Sequence, residues 1–355
     1  MRPEPRDDLR ALSGYHSPQV DVPVRLNTNE SPYGPPTAFV ERWLDALRGV
    51  AWNRYPDRAA AELRAAIGGF LGQSAERVTC GNGSNEVLQS LFLAYGGAGR
   101  RALVFEPTYA LHAQIARTTG TGIVEVARDA EFAVDVDRAV ATIAAEKPSL
   151  VVTCSPNNPT GTVDSRETTE ALADAADAVG AVLVVDEAYG EFAPWSALEL
   201  VADDRPVAVV RTYSKVWSLA GLRLGFVVAP EWLTADLAKV QLPYNLSVPT
   251  QVAGTLALDF RAEMAERVAV LVAGREQLRD GLVACPGIEP FPSGANFVLF
   301  RVAGDAHALW TRLLARGVLV RDFAAWPGVE GCLRVTVGTP EENDAFLEAL
   351  TEEMA

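Results

Sequence analysis

Between about residue 75 and residue 230, the chain alternates short, unbroken apolar runs with segments of helix length. The runs are RALVFE (101–106), GIVEVA (122–127), LVVTCS (150–155), AVLVVDEA (181–188), VAVVRT (207–212) and LGFVVA (224–229). A half-exposed strand alternates apolar and polar positions, whereas unbroken β-branched runs suit strands buried on both faces. Among the intervening segments, 165–179 predicts a helix: Asp164 and Glu167 make a capping-box pattern, and Gly180 supplies the stop. The rhythm predicts an α/β domain with a mainly parallel sheet flanked by helices. The Gly-rich stretch GGAGRR (96–101) precedes a strand, so it reads as a turn rather than a phosphate loop.

Past residue 247 the rhythm changes. A helix-prone region spans roughly 250–284 and leads into the strand NFVLFRV (296–302). A helix near 305–316, the strands VLVRD (318–322) and CLRVTVG (332–338), and a last helix opening at Thr339-Pro340 follow, with Glu342 completing a capping box. This predicts a smaller α+β domain at 251–355, joined by an N-terminal arm (1–50) that contributes part of it. The large domain is then expected over 51–250.

Composition narrows the function. Hydrophobic residues are 49% and charged residues 22% of the chain, ordinary for a protein with a real core. No apolar run is long enough to span a bilayer, and the first twenty residues are polar and broken by Pro and Gly, unlike a signal peptide. The four cysteines, at 80, 154, 285 and 332, fit neither a metal site nor a disulfide framework, which points to reduced thiols in the cytoplasm. A net charge of −15 argues against nucleic-acid binding while leaving room for a local arginine cluster to hold a small anion.

One residue stands out against the arginine-rich background. The chain has 28 arginines and only three lysines, and Lys215 lies in RTYSKVWSLAGLRLGF (211–226). A guanidinium stays charged at any working pH, whereas an amine can lose its proton and act as a nucleophile. Lys147 and Lys239 read as solvated surface charges. Around Lys215, four polar segments fall where predicted strands end: GNGSNE (81–86), SPNNPTG (155–161), DEAY (186–189) and TYSK (212–215). Ligands of doubly wound sheets sit beyond the carboxyl ends of the strands. A cofactor with an aldehyde, a pyridine nitrogen, a phenolic oxygen and a phosphate would use every member of this set, which points to pyridoxal 5′-phosphate.

The motifs RLNTNESPYGP, RYPD, GNGSNEVLQ, SPNNPTG, VVDEAYGEF, RTYSK, AGLRLGF, GANFVLF and LRVTVGTPEEN occur in an order that resembles the fold type I pyridoxal-phosphate aminotransferases, most closely the histidinol-phosphate branch. The resemblance implies Lys215 as Schiff-base lysine and proton shuttle, and Asp186 as partner of the pyridine nitrogen. Asn158 and Tyr189 would bond the phenolic oxygen, and Tyr109 would stack on the ring. Ser84, Asn85, Thr212, Ser214 and Arg223 would form the phosphate cup. Tyr55 would reach the cofactor phosphate of a neighbouring subunit, implying a homodimer with shared active sites. Arg334, with Arg321 and Tyr15, would contact the substrate. The implied reaction is ping-pong amino transfer between histidinol phosphate and 2-oxoglutarate. GYHSPQ (14–19), NESP (29–32), Asn85 and Trp217 depart from the usual family pattern. An aminotransferase for an aromatic or specialised amino acid therefore stays open, as does a decarboxylase resembling threonine-phosphate decarboxylase. A non-enzymatic sensor built on this fold would be expected to carry a DNA-binding domain as well.

Overall fold

The computed structural model describes residues 3–10, 14 and 19–355. Its larger sheet has seven strands: β2 (Val78–Asn82), β3 (Arg101–Glu106), β4 (Gly122–Ala127), β5 (Leu150–Cys154), β6 (Val182–Asp186), β7 (Val207–Thr212) and β8 (Leu224–Val228). Their spatial order is β2-β8-β7-β6-β5-β3-β4. Strands β7, β6, β5, β3 and β4 are parallel, while β8 runs antiparallel to both β7 and β2. The unbroken apolar runs have a direct cause here. Leu103, Val151, Leu183, Val185 and Val209 pack into one cluster with Leu172, Ala173 and Ile143 from helices Arg166–Ala178 and Val136–Glu146. Their neighbours Val104, Val152, Val184 and Val210 turn to the other face, against Leu88, Leu91 and Phe92 of helix Ser84–Tyr95. Both faces of β5, β6 and β7 are covered, so both parities of those strands must be apolar, whereas β4 at the edge is largely exposed.

The smaller sheet takes strands from both ends of the chain. Its order is β1-β11-β12-β10-β9, where β1 is Val24–Leu26, β9 Ile288–Pro290, β10 Phe297–Val302, β11 Val318–Asp322 and β12 Cys332–Thr336. Strand β1 lies parallel to β11, Val24 opposite Val318 and Leu26 opposite Val320. Strand β12 is central, antiparallel to β10 and β11, and places Arg321 opposite Arg334. The last helix, Pro340–Met354, opens with the expected capping box: the Thr339 hydroxyl accepts from the Glu342 N–H, and the Glu342 carboxylate accepts from the Thr339 N–H.

Two local expectations are corrected. The helix beginning near 165 is capped by Ser165, whose side chain accepts from Thr168 N, and not by Asp164. Asp164 is buried and accepts from Arg128 Nη1 at 2.9 Å, a stronger partner for a carboxylate than a helix end in water. The helical region at 250–284 is broken: helices Val248–Ala257 and Arg261–Ala284 are separated by a short 3₁₀ turn at Leu258–Phe260. Among the described residues no helix is long and apolar enough to cross a membrane.

Candidate active site

The carboxyl ends of the parallel strands open onto a cavity of about 580 Å³. It is lined by Ser84, Asn85, Tyr109, Asn158, Asp186, Tyr189, Thr212, Ser214, Lys215, Arg223, Arg321 and Arg334. Strand direction explains the assembly. Strand β6 ends on Asp186, while the next residue, Glu187, points away and binds Arg211 Nη2 at 2.7 Å and the Ser196 hydroxyl at 2.7 Å. Strand β5 leads into the 155–161 turn. There, buried Asn157 fixes the backbone by donating to Pro107 O and Thr160 Oγ1, which leaves Asn158 facing the cavity.

One end of the cavity is a cradle for an anion. Helix Ser84–Tyr95 opens there on Gly83, at φ 80°, with no side-chain cap over its first N–H groups. A Cβ at Gly83 would overlap the Arg223 guanidinium, and one at Gly225 would overlap the backbone of Gly83 and Ser84. Glycine is therefore needed at both places for the strand, the helix start and the arginine to close together. Arg223 Nη1 donates to the Ser214 hydroxyl at 3.4 Å, and the Thr212 and Ser214 hydroxyls lie 3.0 Å apart. Uncapped helix N–H groups, hydroxyls and a guanidinium are donors that suit a phosphate.

Lys215 sits in the middle. Its ammonium donates to Thr28 O at 3.1 Å and lies 5.6 Å from the centre of the Tyr189 ring. Burial, then the positive charge of Arg334, lowers its pKa from 10.5 to about 8; Glu30 acts in the opposite sense. Asp186 is 2% exposed; one carboxylate oxygen lies 3.0 Å from His112 Nε2 and the other accepts from Ala188 N. The Tyr189 hydroxyl accepts from Asn29 Nδ2 at 2.9 Å, and burial raises its pKa. The Tyr109 hydroxyl donates to Asn85 Oδ1 at 3.3 Å, and its ring meets His112 edge-on.

At the other end, Arg334 is buried rather than turned to solvent, as a strand of strict alternation would have allowed. Its guanidinium lies between the Phe297 and Phe323 rings, at 4.9 and 5.3 Å from their centres, and donates to Asn158 Oδ1 and Asn27 O. Arg321, its cross-strand neighbour, lies 6.0 Å over the Phe323 ring. Tyr55 does not line this cavity. It is 79% exposed and stacks on Tyr244 with ring centres 4.5 Å apart. Tyr15 falls outside the described residues.

Residues 21–350 match the family model for aminotransferase class I and II. The chain belongs to this family. It is similar to the histidinol-phosphate aminotransferase of Thermobifida fusca, 47% identical over 97% of this chain and 94% of that one. The enzyme of that name from Streptomyces avermitilis is 46% identical over 98% and 95%. Among solved structures, the histidinol-phosphate aminotransferase of Sinorhizobium meliloti, in complex with pyridoxal-5′-phosphate, superposes with a TM-score of 0.90 at 24% identity, covering 98% of this chain and 97% of that one. The chain is thus a pyridoxal-phosphate-dependent aminotransferase of fold type I. Its own residues fit the cofactor: an amine of lowered pKa, a buried carboxylate and an anion cradle closed by two glycines face one space.

Two contributors were not singled out from the sequence. His112 lies in the first turn of helix Leu111–Thr118, three residues after Tyr109, whose carbonyl accepts its backbone N–H, and no local pattern marks it as a partner of Asp186. Asn29 adopts φ 55°; besides its bond to Tyr189, its side chain accepts from the Thr336 hydroxyl and its backbone N–H donates to the same oxygen. It thereby ties the 27–30 segment to β12. An Asn-x-Asn stretch invites left-handed backbone, but only the tertiary contact reveals its role.

Proposed function

We propose that the protein transfers the amino group of histidinol phosphate to a 2-oxo acid, 2-oxoglutarate by preference, in two half-reactions at one site. The observation that carries this reading is Lys215: a buried amine of lowered pKa placed between the phosphate cradle and the Arg334–Arg321 pair. Pyridoxal phosphate, once bound, supplies an aldehyde that accepts a primary amine and a ring that draws electrons from the adjacent carbon. Lys215 would hold it and, when displaced by the donor amine, act as the base that takes the α-proton and returns it. Asp186, fixed by His112 and the Ala188 N–H, would keep the ring nitrogen protonated. Asn158 and Tyr189 would hold the phenolic oxygen, and Tyr109 would cover the ring. Ser84, Asn85, Thr212, Ser214 and Arg223 would bind the cofactor phosphate, while Arg334 and Arg321 would take the anionic end of the donor.

We further place Tyr55 in the active site of a second copy. Its exposure beside Tyr244, outside its own cavity, supports a homodimer with shared sites. Residues 51–250 would form the large domain and 251–355 the small one, with the N-terminal arm at 1–50. The four cysteines are unpaired and buried, in keeping with the cytoplasm. Donor preference is tested by a side-by-side screen of histidinol phosphate, histidine, phenylalanine, tyrosine and tryptophan, following loss of 2-oxoglutarate. A histidinol phosphate kcat/KM no greater than that of the aromatic amino acids refutes the assignment. For the dimer, mixing inactive Tyr55→Ala and Lys215→Ala proteins restores activity if hybrids form one intact site from Lys215 of one chain and Tyr55 of the other. No recovery after subunit exchange counts against it.

A further inference from the structure

Beside the cofactor cavity lies a second one of about 780 Å³, and both are lined by Ala110, Arg321 and Trp326. The second cavity carries both signs of charge, with Glu106, Glu125 and Asp129 facing Arg117, Arg128 and the shared Arg321. Trp326 thus stands between the cofactor cavity and a second chamber of mixed charge.

The indole is held by a short, densely bonded loop between β11 and β12. Trp326 N donates to Phe323 O at 2.9 Å, Val329 N to Trp326 O at 3.1 Å, and Gly331 N to Ala324 O at 2.9 Å. Phe323 N donates to Cys332 O at 3.1 Å, which closes the loop's base. The Trp326 ring meets Phe323 edge-on, with centres 5.8 Å apart, and Phe323 in turn packs on both arginines. The loop's tip is seated on the larger sheet: Gly328 has φ 82°, and a Cβ there would press on Pro107 at 3.2 Å. Pro107 begins the segment that carries Tyr109. Both ends of the partition are anchored, one on each sheet.

We infer that Trp326 is a specificity-determining wall that fixes how far the anion of an amino donor can lie from its reacting amine. The inference rests on the reading of Arg334 and Arg321 as the anion grip. With the amine at Lys215 and the anion at the arginines, a donor spans the cofactor cavity and ends against the indole. A longer donor must drive its anion through Trp326 or leave the arginines. Shortening the side chain joins the two cavities and removes the limit.

The test uses the holoenzyme and amines with the amino group on the penultimate carbon and a phosphate on the far end: 2-aminopropyl, 3-aminobutyl, 5-aminohexyl and 7-aminooctyl phosphate. Affinity is read from the change in the cofactor's visible band, which reports amine binding whether or not transfer follows. In the unaltered protein the dissociation constant should rise about 10-fold or more between the aminobutyl and aminooctyl members. In Trp326→Ala that slope should flatten to within about threefold, with Trp326→Phe between the two. The loop's backbone bonds do not use the indole, and Trp326→Leu serves if the alanine protein is unstable. The inference is overturned if the unaltered protein is indifferent to chain length, or if Trp326→Ala weakens every member by one common factor. Turnover of histidinol phosphate, measured separately, reports on the donor assignment and not on the wall.

Discussion

Trace acetylation of the three lysines, followed residue by residue in the cofactor-free protein, reads the electrostatics of the cavity directly. Only a neutral amine reacts, so the rate at each lysine follows its deprotonated fraction. A fall from 10.5 to about 8 at Lys215 means roughly 300-fold more neutral amine at pH 7. The sign follows from charge: burial and the Arg334 guanidinium both penalise the ammonium, so the neutral form appears at lower pH. The labelling rate at Lys215 should therefore rise about tenfold per pH unit below 8 and level off above it. Lys147 and Lys239, quantified by mass in the same digest, control for reagent decay. Arg334→Leu should move the midpoint upward, though not back to 10.5, because burial is the larger cause and remains. Glu30→Gln should move it downward, since the Glu30 carboxylate favours the ammonium. A Lys215 profile still climbing through pH 10, or one indifferent to Arg334→Leu, refutes this account of the amine.

Further outcomes follow from the packing. Gly225→Ala should destabilise the protein by about 1–3 kcal/mol in urea titration, because its methyl overlaps the Gly83–Ser84 backbone, and should weaken cofactor retention as well. Arg128→Leu strands the buried Asp164 carboxylate and should cost about 3–5 kcal/mol, whereas Arg128→Leu with Asp164→Leu should cost clearly less. A cycle built from His112→Ala and Asp186→Ala should show non-additive losses in kcat equivalent to about 1–2 kcal/mol, since the two side chains form one buried bond. Strict additivity would mean that His112 does not act through Asp186.

Much of the larger sheet was legible as continuous apolar runs; 101–106, 122–127 and 207–212 are strands over those exact spans, 207–212 buried throughout and 122–127 a largely exposed edge strand. The same was true of the last helix, whose start is encoded in Thr339, Pro340 and Glu342. The start at Ser165 was misread because Asp164 and Ser165 are both good caps, and only the buried Arg128 decides between them. Strand β1 is three residues long and gets its partner from nearly 300 residues away, so no local pattern announces it. In the site, residues that end strands were readable from position. His112 and Asn29 act through other side chains and were not, and Tyr55 stacks on Tyr244 outside this cavity.

The bond from Arg334 to Asn158 joins a residue of the smaller sheet to a turn of the larger one, across the space that substrate and cofactor are to share. If Asn158 turns to the cofactor and Arg334 to the donor, each arrival breaks the same contact, and whichever comes first has already met the cost for the other. Reciprocity then requires that cofactor and donor each tighten the other's hold, with the gap between the two sheets as the medium.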